Sequence, residues 1–276
     1  MSRGVLLEYA LYLGALLLFV AGFGLPEPAA PEFELGPRSP GTLRVVTWNV
    51  GGSNGDGEWG GPLSDEHLEH VASVLLELDP DLCFLQEVRI GRQAQRLRDA
   101  LGAGWELEYS SSTGGRKVIA LAQRGVLEPW KLGVPASCSI GVRYRPQGAE
   151  PLSAVGLHAD VTSASARNEA IGQLVESLSQ IDEPALLVGD FNIDLDLGKR
   201  RDLFTDDEYR DVETYNYITR SFEDATLRTG STAEPDRRLD YIFLAEGRFG
   251  LRSAGPLRDR RLGDMDHDPV VADLTR

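Results

Sequence analysis

From residue 43 onward the chain is a succession of short apolar runs, and most of them break abruptly on a polar residue. Residues 43–49 (LRVVTWN) are short and β-branched, which predicts a strand. A glycine-rich loop, 51–61, follows. Ser64 is placed to cap a helix with Asp65 and Glu66 in its first turn. Leu68, Val71, Leu75 and Leu78 give that helix one apolar face, and Asp79-Pro80 ends it. Residues 82–85 predict a second strand and 92–101 a second helix. Strands are then expected around 105–109, 117–122, 139–145 and 153–159. The 3.6-residue spacing of Ala170, Ile171, Leu174 and Leu178 predicts a helix over 164–178. Further strands are expected at 185–188, 239–244 and 270–274. The stretch 194–234 is too polar to assign. Two halves, each with helices and several strands, suggest two packed sheets covered by helices.

The N-terminus is organised differently. Residues 5–25 are almost continuously apolar, interrupted by Glu8, with Arg3 before them and Glu27, Glu32 and Glu34 after. A cation before and acids after suit an N-terminus kept in the cytoplasm while the rest is exported. The stretch is long enough to span a bilayer or to serve as a secretory signal. Residues 1–25 are therefore read as a signal peptide or membrane anchor. Residues 26–42, rich in Pro and Glu, read as a semi-stiff spacer, and 43–276 as the folded domain. The expectation is an exported domain, anchored outside the membrane or secreted or periplasmic.

Charge narrows the partners. The 276 residues carry 28 Lys and Arg against 43 Asp and Glu, a formal net charge of -15. Such a chain is repelled on average by nucleic acid and anionic lipid. A single phosphate site remains compatible, because a bound cation reverses the local field. The two cysteines, Cys83 and Cys138, are too few for a disulfide framework or a zinc site, and Cys83 lies in an apolar run.

The chemistry gathers where strands end. One run ends in Asn49, another in Glu87, another in His158. The run 186–189 ends in Asp190, with Asn192 two residues on. Leu239 runs into Asp240, and Met265 precedes Asp266-His267. Strand ends converging on one sheet edge are a common way to assemble a site. Oxygen-rich ligands with little nitrogen or sulfur suit Mg²⁺, with Mn²⁺ or Ca²⁺ as alternatives. Together with the lack of a nucleophilic Ser or Cys motif, this suggests metal-assisted attack of water on a phosphate. Other polar groups have plainer readings. His67 and His70, three apart on the first helix, read as a solvated face. Asp194 and Asp196 read as loop acids, and the run 206–208 as solvated surface. Lys199-Arg200-Arg201 and the group Arg252, Arg258, Arg260 and Arg261 are candidates for gripping an anionic substrate at the rim.

Six segments taken in order, TWNVG (47–51), LQEV (85–88), GLH (156–158), GDFN (189–192), RLDYIF (238–243) and MDHDPV (265–270), resemble the motifs of the endonuclease/exonuclease/phosphatase superfamily, the deoxyribonuclease I-like group. No one of them is specific; six in this order are. The resemblance implies a four-layered α/β sandwich of two packed mixed β-sheets flanked by helices. It implies Glu87 as chief metal ligand, assisted by Asn49 and Asp266. Asp190 and Asn192 would orient the attacking water and hold phosphoryl oxygens. His267, steered by Asp240, would act on the water or the phosphate, and His158 would contact the phosphate or protonate the leaving oxygen. The substrate is left open between nucleic acid and a phospholipid headgroup, hence an exported nuclease, a membrane-proximal phospholipid or sphingomyelin phosphodiesterase, or an inositol-phosphate phosphatase. A non-catalytic binding module on the same fold is a further alternative. Val88-Arg89 and His158 depart from abasic-site enzymes, and 234–238 (EPDRR) departs from the inositol polyphosphate 5-phosphatase block. A monomer is expected, touching a membrane only through an uncleaved N-terminal segment.

Overall fold

The computed structural model describes residues 33–52, 62–89, 91–109, 116–131, 139–195 and 205–276. The apolar N-terminal stretch, most of the loop 51–61, Cys138, Asp196 and Lys199-Arg200-Arg201 lie outside the described residues. Among the described residues no helix is long and apolar enough to cross a membrane.

The elements run β1 (Leu43–Asn49), α1 (Asp65–Leu78), β2 (Leu82–Arg89), α2 (Arg92–Leu101), β3 (Trp105–Tyr109), β4 (Arg116–Gln123), β5 (Gly125–Trp130), β6 (Ser139–Pro146), β7 (Leu152–His158), α3 (Ala164–Ser179), β8 (Ala185–Asp190), α4 (Glu208–Ile218), β9 (Phe222–Asp224), β10 (Asp240–Ala245), β11 (Gly250–Pro256) and β12 (Val270–Thr275). They build two six-stranded sheets, ordered β11-β12-β1-β2-β4-β3 and β5-β6-β7-β8-β10-β9. Each is mixed. One parallel pair, β1 with β2 and β7 with β8, sits among antiparallel neighbours.

Alternation along the strands sorts side chains into three apolar layers. On β1, Val46 and Trp48 face the layer shared with Leu68, Val71 and Leu75 of α1 and Leu97 of α2. Val45 faces the other way, into the layer between the sheets with Phe84, Ala154, Val188 and Ile242. On the far side Val155, Leu187 and Phe243 pack against Ile171 and Leu174 of α3 and Ile218 of α4. The order is helices, sheet, sheet, helices, which is the four-layered sandwich implied by the sequence motifs.

Ser64 does cap α1, accepting the His67 N–H at 3.1 Å, and Asp79 ends it in the left-handed conformation. The polar stretch 194–234 contains α4 and β9. α4 escaped the periodicity test because two of its three buried residues, Asp211 and Thr214, are polar. Asp211 pairs with the fully buried Arg167 of α3 at 2.9 and 2.7 Å. Arg167 also donates to the Asp160 carbonyl at 2.7 Å, just beyond β7. The run 206–208 is exposed at Asp206 and Asp207, as expected of solvated surface, and it also caps two helices. Asp207 caps α4 by accepting from Tyr209 and Arg210 N–H, both at 3.1 Å, and Asp206 accepts from Ala164 N–H at 2.8 Å. The unpredicted strands β5 and β11 are sheet edges. Their mixed exposure leaves little apolar alternation to read.

The described part of the expected spacer, residues 33–42, is packed on the domain. Phe33 and Leu35 lie against the α1/α2 layer. Gly255 of β11 makes room, since a Cβ there would lie 2.4 Å from Phe33 Cγ. Arg38 donates to the Thr42 carbonyl at 3.0 Å and also bonds Asp81. Just inside β1, Arg44 grips Asp273 of β12 at 2.7 and 2.8 Å. Proline and glutamate composition read as a spacer because the two apolar residues that dock are isolated within it. A chain starting at Leu43 should accordingly lose about 2 kcal/mol against one starting at Glu32, seen as a lower urea midpoint; equal midpoints would show that the segment contributes nothing.

Candidate active site

Register places the site. In the second sheet Asp190, the last residue of β8, pairs with His158 of parallel β7 on one side and Asp240 of antiparallel β10 on the other. Three functional side chains therefore stand in one row across the sheet. In the first sheet Asn49 ends β1 beside Gln86 of β2. The pairing of β2 with β4 slips between Leu85 and Val88, and Glu87 there has φ 64°. Such an irregularity re-aims a side chain, and it turns Glu87 toward Asn49.

The groups meet across the two sheets. Asn49 Nδ2 donates to Asp190 Oδ2 at 3.0 Å and to Glu87 Oε1 at 3.3 Å. Asn49 Oδ1 accepts the Gly51 N–H at 3.0 Å, which fixes the amide orientation. A Cβ on Gly51 would fall 2.0 Å from Glu87 Oε2, so only glycine leaves space for that carboxylate. His158 Nε2 lies 3.6 Å from Asp190 Oδ2 and 3.9 Å from Glu87 Oε1. His267 Nδ1 is 2.8 Å from Asp240 Oδ2, and its Nε2 is 3.7 Å from Asp190 Oδ2. Asn192 is beside the cluster. Its N–H donates to Asp190 Oδ1 at 3.0 Å, while its side-chain amide donates to the Ala159 carbonyl at 3.1 Å. Gly189, at φ 146°, lets β8 approach β7 so closely that a Cβ would lie 2.0 Å from Leu157 O.

Asp266 and His267 ride on a turn held from several sides. The Trp48 indole N–H donates to the His267 carbonyl at 3.0 Å. Glu234 N–H donates to Asp266 O and Asp268 N–H to Thr232 O, both at 2.8 Å. Thr232, which the sequence motifs do not mark, also donates its hydroxyl to Asp240 Oδ2 at 2.7 Å. A lone threonine in an unassigned polar stretch gives no signal of this. Trp48 gives a weak one, since a buried indole needs an acceptor.

Burial disfavours the charged form of His267, but Asp240, Asp190 and Asp266 outweigh it and push the imidazole pKa up to about 10. Asp266, half-buried, is raised mainly by desolvation, opposed by His267 and reinforced by the charges of Glu87 and Asp190. The ligand atoms of Asp190, Asp240 and His267 all lie within 4.8 Å of one another, a spacing that a metal ion would accept. Asp240 Oδ1 is buried with no hydrogen-bond partner among the described residues. Several hard carboxylates crowded in partial burial fit a divalent cation, which offsets their repulsion.

The remaining polar residues fall elsewhere. His67 and His70 are half-buried packing groups, not a solvated face. His67 Nδ1 is 2.7 Å from Ser64 Oγ, and His70 Nε2 meets the Arg260 carbonyl at 2.7 Å and sits edge-on to Trp48. Asp194 is buried. The arginine group divides. Arg261 grips buried Asp268 at 2.7 and 3.1 Å, and Arg260 pairs with Glu77 at 2.6 Å. Among the described residues Arg258 reaches only Ser231. Arg252 lies on β11 near the Leu251–Leu274 register, toward the end of β12 away from His267. Arg260 and Arg261 are thus structural ties, and Arg252 is not at the rim. Replacing Arg261 by Met strands Asp268 and should cost about 3 kcal/mol, whereas Arg258→Ala should stay within about 0.5 kcal/mol; urea denaturation of the two variants distinguishes them, and equal midpoints would refute the division.

The chain matches the sequence model of the Endonuclease/Exonuclease/phosphatase family over residues 46–262. No curated protein matches it. Among solved structures it is similar to an endonuclease/exonuclease/phosphatase family protein from Bacteroides thetaiotaomicron, at TM-score 0.64 and 18% identity over 86% of this chain and 98% of that one. It is similar to the mannosyl-6-phosphatase of Bacteroides thetaiotaomicron VPI-5482, at TM-score 0.63 and 16% identity over 85% and 100%. A 3′ phosphatase from Neisseria bound to a product DNA hairpin aligns at TM-score 0.61 and 17% identity over 83% and 98%. These structures share the two-sheet sandwich, and the sequence match takes in strands of both sheets and the strand ends that carry Asn49, Glu87, His158, Asp190 and Asp240: the chain belongs to the endonuclease/exonuclease/phosphatase family.

Proposed function

We propose that the chain is a divalent-cation-dependent phosphoesterase that hydrolyses a phosphodiester or phosphomonoester with an activated water. The observation that carries this is the contact chain Asp240–His267–Asp190–Asn49–Glu87, which joins the ends of both sheets with His158 alongside.

Glu87, with Asn49 and Asp266 beside it, would hold the cation, Mg²⁺ first and Mn²⁺ or Ca²⁺ as alternatives, and the bound ion would offset charge growing on a phosphoryl oxygen. The protein's own groups divide the rest. Asp190, an acceptor-only carboxylate at the centre of the cluster, orients the water and takes its proton. His267 is held by Asp240 through Nδ1, so Nε2 is the atom turned to the reacting centre. In its charged form it donates a hydrogen bond to a phosphoryl oxygen. His158 stands on the opposite side of Asp190, where it contacts the phosphate or protonates the leaving oxygen. Asn192 holds Asp190 through its backbone N–H. None of these steps requires a covalent intermediate. An intact constellation of this kind argues against a passive binding module.

The similar mannosyl-6-phosphatase and DNA 3′ phosphatase favour assaying sugar and DNA phosphomonoesters beside diesters. An exported nuclease, a phospholipid or sphingomyelin phosphodiesterase and an inositol-phosphate phosphatase stay within the same chemistry. Residues 1–25 would export the domain or anchor it outside the membrane, with a monomer as the working unit.

The full chain should hydrolyse p-nitrophenyl phosphate or its bis ester with Mg²⁺ and lose that activity in chelator. His267→Ala should lower kcat by about 10²- to 10⁴-fold. Full activity in chelator, or an unimpaired His267→Ala, would overturn this assignment. A parallel panel of 3′-phosphate DNA, mannose 6-phosphate, plasmid DNA and sphingomyelin selects the substrate class.

A further inference from the structure

We propose that Thr232 is a positioning residue that fixes both the orientation and the separation of the Asp240–His267 pair. This rests on the phosphoesterase reading above and deepens it.

The hydroxyl is fully buried and its hydrogen bonding is over-determined. Thr232 Oγ1 accepts the backbone N–H groups of Leu239 and Asp240, each at 3.1 Å. Two donors fill the two lone pairs of a hydroxyl. Its one hydrogen then has a single destination, Asp240 Oδ2 at 2.7 Å. That same oxygen faces His267 Nδ1 at 2.8 Å. Oδ2 therefore receives two donors, and the carboxylate cannot rotate without leaving one of them unsatisfied in a buried place. With Oδ2 saturated by donors, the shared hydrogen stays on imidazole Nδ1, which fixes the ring orientation that turns Nε2 to the site.

The backbone of Thr232 holds the other partner. Its carbonyl accepts the Asp268 N–H at 2.8 Å, immediately after His267, and its own N–H donates to Arg237 O at 2.7 Å. One residue thus ties the first residue of β10 and the histidine turn to the same short segment. The side chain sets where Asp240 points, and the main chain sets how far away His267 is. Thr232 touches no reacting atom. It acts through Asp240, as the outer partners of catalytic groups commonly do.

The test uses the full chain with Thr232→Val, which keeps the shape and removes the hydroxyl, and Thr232→Ser, which keeps the hydroxyl. Hydrolysis of bis-p-nitrophenyl phosphate with Mg²⁺ should show kcat lowered about 10- to 100-fold in Thr232→Val, with KM little changed and Thr232→Ser restoring most of the rate. Proton NMR should show a strongly downfield Nδ1–H resonance, assigned by its loss in Asp240→Asn, that persists in wild type and Thr232→Ser and vanishes or moves in Thr232→Val. A Thr232→Val protein with unaltered resonance and kcat overturns the proposal. So does a Thr232→Ser protein impaired as badly as Thr232→Val, since shape alone would then matter. If wild type hydrolyses no phosphoester, the resonance still decides the role of Thr232, and only the phosphoesterase reading falls.

Discussion

Backbone pairing of β8 with its two neighbours is the constraint on which the candidate site depends. Asp190 is not brought to His158 and Asp240 by side-chain attraction; adjacent register positions put all three there. Burial then makes the arrangement unforgiving, because Asp190 and Asp240 are almost wholly removed from water. A buried carboxylate needs donors or a counter-charge. Asn49 from the other sheet supplies one donor and His267 another. The two sheets are consequently locked together by polar contacts at the same edge where their apolar layer ends. Gly189 belongs to this constraint too, since any larger residue would push β8 away from β7.

What could be read from the sequence follows from where apolar alternation is strong. Central strands such as β1 and β8 are buried throughout, and their ends are marked by an abrupt polar residue, so Asn49 and Asp190 stood out. The ordered motifs carried the fold and the eight candidate residues. Edge strands β5 and β11 gave no such contrast. α4 was hidden because one of the residues it buries is an acid, satisfied by an arginine forty-four positions earlier. The same blindness affected Arg261 and Thr232. Their partners, Asp268 and Asp240, are near in sequence, but nothing in residue type distinguishes a tie within the fold from a group offered to a ligand. The spacer reading failed at Phe33 because its receptor, a missing side chain at Gly255, is a feature of distant sequence.

The electrostatic design sets an acidic protein against an anionic substrate. With a net charge of -15 and a cluster of carboxylates at the centre, the protein alone repels phosphate. Of the nearby arginines, Arg260 and Arg261 are occupied by Glu77 and Asp268. His267, kept in its charged form by the carboxylates around it, places one positive charge inside that cluster.

The order of the first sheet also bears on how the protein is made. β1, early in the chain, lies between β2 and β12. Its clamp, Arg44 to Asp273, joins residues 229 positions apart. During synthesis β1 can pair on one side as soon as β2 emerges, yet its other side stays open until β12 follows. Contacts this distant in sequence form slowly. Asp266 and His267 lie just ahead of β12, so the histidine turn settles with the final strand. Until β12 emerges, β1 keeps an unpaired margin, and the segment carrying Asp266 and His267 has no adjoining strand on which to settle.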